Sequence, residues 1–188
     1  LNDANAGAFA EGIGSDLPSS FFYLSLSNTV GGAIFHDGNL LPGDAFRCGE
    51  AGHMTLIPDG KPCYCGKTGC VDAYCSARVL SDLSGGRLED FFLELQQNNR
   101  EYRPVWDTYL KHLSVVINNL HMILDYDIIL GGYVGSFLTP WLDTIRHLVA
   151  ERNTFEDDGS FVKLCTYQTG AAAYGAAMDV MEEFLRTV

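Results

Sequence analysis

Apolar positions along this chain fall into short runs bounded by turn residues and longer stretches with a helical spacing of three to four, and these outline its elements. Residues 4–12 read as a short helix: Asp3 stands where an N-cap belongs, and Gly12 and Gly14 end the run. Residues 21–27, Phe-Phe-Tyr-Leu-Ser-Leu-Ser, are aromatic-rich and bounded by turn residues, which predicts a strand. A second strand is expected over 32–36, and Asp37-Gly38-Asn39 is a hairpin signal leading to a third short strand at Leu40. Residues 43–52 read as loop and 54–57 as a further strand before Pro58-Asp59-Gly60.

The second half is mostly helical in pattern. Helices are expected over 71–80 and 88–97, separated by Ser84-Gly85-Gly86. A long one follows over 105–124, where Val105, Tyr109, Leu113, Val116, Leu120 and Ile123 keep to one face, as a core or subunit-interface stripe. Residues 127–130 read as a strand closed by Gly131-Gly132, and 136–151 as a helix with Pro140 in its first turn. A strand over 161–165 and a helix over 171–185 complete the chain. Strand pairs first and βα units afterwards mean an α/β fold, one domain over 1–188, with a mixed sheet and helices packed on it.

Composition narrows the function classes. With 188 residues and 47% hydrophobic content the chain can build a core. A net charge of −12 argues against direct contact with nucleic acid or an anionic membrane, and is compatible with a small neutral ligand. No apolar run is long enough to span a membrane. The N-terminus has neither the basic nor the apolar segment of a signal peptide, and it lacks an initiator Met, so the chain reads as a piece of something longer. A cytoplasmic, reducing location is expected, where clustered cysteines bind metal more often than they form disulfides.

Such a cluster is present. Cys63-Tyr64-Cys65-Gly66-Lys67-Thr68-Gly69-Cys70 places three thiols within eight residues, and His53 lies ten residues upstream. Three thiolates and an imidazole make a closed tetrahedral set of the structural zinc kind, with no open position for a catalytic water. A disulfide, or free thiols in a turn, is the alternative; a Cys-x-Cys disulfide is strained. Cys48 is a weaker rival ligand, and Cys75 and Cys165 read as buried small apolar residues. His36, His112, His121 and His147 have no metal or catalytic pattern around them.

The motifs surrounding the cluster carry a resemblance. Gly49-Glu50-Ala51-Gly52-His53, the cysteine run, and Asp72-Ala73-Tyr74 together resemble the ROK family of bacterial sugar kinases and sugar-responsive transcriptional repressors. Asn2-Asp3-Ala4-Asn5, Thr29-Val30-Gly31-Gly32-Ala33 and Ile129-Leu130-Gly131-Gly132 extend the likeness over nearly the whole chain. It implies the C-terminal lobe of an actin/hexokinase-like (ribonuclease H-like) fold. The chain's own N-terminal lobe and any helix-turn-helix would lie outside these residues.

The resemblance also implies roles. Sugar contacts fall on Asn2, Asp3, Glu50, His53 and Asp72, the last standing where the family more often has Glu. Asp3 matches the family's catalytic base; read without the likeness it is an N-cap. Thr29, Gly31, Gly32, Gly131 and Gly132 match nucleotide-binding positions, and ATP with Mg²⁺ is implied only for a kinase. The zinc loop would tie Glu50 to Asp72 as a staple. Partners are then a small-molecule sugar, the N-terminal lobe and a second copy of the chain in a homo-oligomer. Kinases of the family usually carry Gly-Thr-Gly where this chain has Ser27-Asn28-Thr29, which costs places for backbone N–H groups to approach phosphate. That erosion, with Asp72, favours a sugar-sensing regulator; a sugar kinase is the alternative, and a zinc-stapled oligomerisation module a third.

Overall fold

A computed structural model describes residues 1–187, with side chains for all of these but Glu183 and Arg186. Five strands, β1 (Phe21–Leu26), β2 (Val30–His36), β3 (Asn39–Leu40), β4 (Asp127–Gly131) and β5 (Val162–Leu164), form one sheet in the order β3-β2-β1-β4-β5. β1, β2 and β3 pair antiparallel; β1 with β4 and β4 with β5 pair parallel. The helices are α1 (Asp3–Gly14), α2 (Asp72–Cys75), α3 (Ala77–Ser81), α4 (Leu88–Gln96), α5 (Tyr102–Leu124), α6 (Gly132–Gly135), α7 (Leu142–Ala150) and α8 (Ala171–Thr187).

All six residues of β1 are buried, because helices cover both faces of the central strand. On one face Phe21 and Tyr23 join Ala8, Phe35, Ile129 and Ala171 beneath α1 and α8. These two helices cross closely: a Cβ on Gly175 would collide with the carbonyl of Ala6, so only glycine permits that approach. On the other face Phe22, Leu24 and Leu26 enter the larger core with Trp106, Tyr109, Leu113 and Ile117 of α5. Trp106 is fully buried, stacked on Tyr109 and edge-on to Phe92 and Trp141.

Several expected elements differ, each for a local reason. Asn2, not Asp3, is the N-cap of α1: its side-chain oxygen accepts the Asn5 N–H at 2.8 Å. Residues 54–57 form no strand of the sheet; Thr55 makes only an isolated bridge to Cys70, because its partner is the cysteine loop's own return. The helix expected over 71–80 breaks at Ser76, which is extended, leaving α2 and α3. In place of the single helix expected over 136–151 the structure has a 3₁₀ turn, Thr139–Trp141, followed by α7, since Pro140 lacks an N–H and disfavours α geometry at the residue before it. The α5 stripe buries Tyr109, Leu113, Val116 and Leu120, but Ile123 is 75% exposed at the far end. No described helix is long and apolar enough to cross a membrane.

Candidate functional site

The cysteine loop is a small antiparallel excursion held by its backbone. Cys63 N–H donates to Lys67 O at 2.8 Å, Gly69 N–H to Lys61 O at 2.8 Å, and Leu56 N–H to Gly69 O at 2.8 Å. Gly69 has φ +79, and a Cβ there would collide with the Ile57 carbonyl, so glycine is required on both counts. The loop brings His53, Cys63, Cys65 and Cys70 together with their donor atoms within 4.8 Å of one another. The Cys65 and Cys70 sulfurs are 3.8 Å apart, the edge expected of a tetrahedron with metal–sulfur bonds of about 2.3 Å. All six cysteines are free thiols, so the disulfide alternative falls away. The protein groups pull these thiols in opposite directions. Burial pushes Cys70 up to about 11, while the Lys67 N–H, helped by Cys63, draws the exposed Cys65 below its usual value. The donor set and its spacing can hold a metal ion.

Tyr64, inside the cysteine run, carries no role in the sequence reading, yet its hydroxyl lies 3.2 Å from Nε2 of His53. Desolvation, then the negative groups of Asp72, Cys63 and Glu50, push that hydroxyl above its ordinary value.

The first three residues of β2 join the predicted segments. Val30 N–H donates to Asp72 Oδ1 at 2.6 Å, and the Val30 carbonyl lies against Gly52. Gly31 faces Ala4 of α1, and Gly32 packs on the Phe22 ring and the Gly49 carbonyl. Ala4 of α1, Gly49 and Gly52 of the loop that carries Glu50, and Asp72 therefore meet at Val30-Gly31-Gly32. Asp72 is only 6% exposed, whereas Asn2, Asp3, Glu50 and His53 are exposed. Glu50 borders a largely apolar recess of about 270 Å³ with Arg47, Met54, Leu120 and Ile123.

On the other side of the turn, Asp3 shares a cavity of about 90 Å³ with Ser25, Ser27 and Gly132. Tyr133 and Thr169 border both this cavity and a larger one of about 250 Å³ that also includes Asn28, Glu89 and Ser136. Gly132, at φ +76, comes so close to Ser27 and Leu26 that a side chain would not fit. Of the five positions matched to nucleotide binding, Gly132 alone borders these cavities. Thr29 lies in the β1–β2 turn, Gly31 and Gly32 in β2, and Gly131 is packed against the Tyr23 hydroxyl.

Behind the small cavity lies a buried polar cluster that the sequence did not reveal. Glu11 is fully buried, and its Oε1 accepts the Cys165 thiol and the Tyr167 N–H, both at 3.0 Å. Tyr23 donates to the Cys165 sulfur at 3.7 Å. Burial, then Glu11, pushes Cys165 up to about 12. Cys165 is buried as expected, but as a hydrogen-bonding thiol rather than a mere apolar filler.

These cavities and the mixed sheet with helices on both faces define an α/β protein of the actin/hexokinase-like fold. The chain belongs to the ROK family, whose model matches residues 1–183. It is 31% identical over 194 residues to the N-acetylmannosamine kinase of Escherichia fergusonii, an alignment covering 98% of this chain and 65% of that protein. Its fold is similar to that of a ROK hexokinase from Thermus thermophilus, with a TM-score of 0.75, 23% identity and coverage of 97% and 65%. It is also similar to that of a ROK family transcriptional regulator, homolog of the E. coli MLC protein, with a TM-score of 0.72, 21% identity and coverage of 93% and 50%. The chain spans less than two thirds of the length of the curated relatives it matches.

Proposed function

We propose that this chain is the C-terminal lobe of an ATP-dependent sugar kinase, its cleft completed by an N-terminal lobe. The observation that carries the reading is the shared cavity of Asp3 and Gly132, which meets the larger cavity at Tyr133 and Thr169. The relatives named N-acetylmannosamine kinase support an N-acylated hexosamine as substrate. In this reading Asn2, Glu50 and His53 bind sugar hydroxyls, and the larger cavity takes the nucleoside. Asp3 accepts the proton of the reacting hydroxyl as its oxygen bonds to the γ-phosphorus and the bond to the β-phosphate oxygen breaks, releasing ADP. Magnesium travels with the nucleotide and offsets phosphate charge. His53, Cys63, Cys65 and Cys70 would hold a zinc ion, which would fix the loop bearing Glu50 and supply no chemistry of its own.

The test is a coupled assay of ADP release by the full-length protein with N-acetylmannosamine and a panel of hexoses. Asp3→Asn should lower kcat by about 10²–10⁴-fold with little change in KM. An unchanged kcat would remove Asp3 from the chemistry.

The sugar-sensing regulator, which the turn Ser27-Asn28-Thr29 favoured in the sequence, is the second reading; a regulator shares the fold too. No turnover with any sugar, together with sugar-dependent DNA binding by the full-length protein, would replace the kinase with it.

A further inference from the structure

Asp72 is matched by resemblance to a sugar contact, but its surroundings suggest other work. The cysteine loop ends in a locked return: Val71 N–H donates to Met54 O at 2.9 Å, and Cys70 bridges Thr55. Immediately afterwards one carboxylate oxygen of Asp72 accepts the Val30 N–H at 2.6 Å. Five residues on, at the break after Ser76, Ala77 N–H donates to Ser27 O at 2.7 Å. One short segment, 72–77, thus grips the β1–β2 turn at both of its ends. The held turn faces the nucleotide side. Asn28 lines the larger cavity, Ser27 the smaller one with Asp3, and the Ser27 hydroxyl accepts the Tyr133 N–H at 3.4 Å.

We infer that Asp72 is a positioning residue: through Val30 it sets the β1–β2 turn, and with it the phosphate side of the cleft, instead of meeting the sugar. A charged acceptor on a buried backbone N–H is a strong hydrogen bond, and its removal leaves that N–H unpaired. Ser76 supports the same role. Its extended backbone interrupts the expected helix and leaves the Ala77 N–H to bond the turn. The metal loop then acts on both sides of the cleft, through the segment bearing Glu50 and His53 and through Asp72. The consequence for nucleotide rests on the kinase reading; the grip on the turn does not.

The experiment uses the full-length, zinc-loaded protein and two variants, Asp72→Ala and Asp72→Asn. Hydrogen exchange is followed over residues 26–31, and calorimetry measures binding of a non-hydrolysable ATP analogue and of N-acetylmannosamine. In Asp72→Ala, exchange over 26–31 should quicken about 10-fold or more. Affinity for the analogue should fall about 10-fold, with zinc content unchanged and sugar affinity within about 3-fold. Asp72→Asn keeps an acceptor of the same shape and should recover most of both losses; should the Ala variant not fold, Asn against the parent carries the comparison as a smaller loss of the same kind. Unchanged exchange overturns the inference, as does loss of sugar binding with analogue binding intact. A parent protein that binds no ATP analogue defeats the kinase reading, and exchange alone then decides the role of Asp72.

Discussion

All six residues of β1 are buried, whereas five of the eight residues from Cys63 to Cys70 are exposed. The strand is held by area. Phe22, Leu24 and Leu26 on one face, and Phe21 and Tyr23 on the other, each remove a large apolar surface from water. The loop has little such area. It is held by a few backbone hydrogen bonds, by a glycine at φ +79 and by four donor groups gathered within 4.8 Å. Three thiols brought together gain little from one another, and with His53 they form a donor set that can hold a cation. The two regions are linked at the start of β2, where Asp72, just past the loop, accepts the Val30 N–H.

The sharpest way to break this contrast is to damage each region separately. Trp106→Ala should cost about 3–5 kcal/mol of global stability, lowering the denaturation midpoint of sheet and loop together. A loop that melts on its own in that variant would show that it does not depend on the core.

Loss of one metal ligand should act more locally. Cys65→Ser should reduce zinc affinity on the order of 100-fold or more, measured by metal competition. Hydrogen exchange should then quicken over residues 54–70 with little change over β4 and β5. A global loss as large as that of Trp106→Ala would mean that the metal holds the sheet as well.

The smallest effect belongs to Cys165, in the sheet's own polar cluster. Burial and Glu11 raise this thiol to about 12, above the ordinary value of 9.0. A group raised on folding stabilises the protein fully below its unfolded value, and that contribution is lost as pH rises from about 9 through 12. Cys165→Ala should therefore lose less stability than the parent between pH 9 and 11 in chemical denaturation. Parallel slopes for the two proteins would show that the thiol does not titrate on unfolding.

The amino-acid pattern alone revealed most of the strand and helix order, the family and the Cys/His cluster. Each of these is written locally: an aromatic-rich run bounded by turn residues in 21–27, a helical stripe in 105–120, and three cysteines in eight residues with Gly66 and Gly69 among them. Local breaks were harder to see. The extended backbone at Ser76 follows from a hydrogen bond between Ala77 and Ser27, fifty residues apart in sequence. Ile123 continues a good stripe but runs beyond what the sheet can cover. The site divides the same way. Asn2, Asp3, Glu50 and His53 were legible as motif positions, but the roles of Tyr64 and Glu11 were not, because neither has a local signature. Tyr64 gains its place from His53, and Glu11 from Cys165 and Tyr167 at the other end of the chain. The partner of Asp72 emerges only from the folded chain. A carboxylate two residues after a cysteine has no partner written in its local sequence; the loop closure carries one of its oxygens to the Val30 N–H.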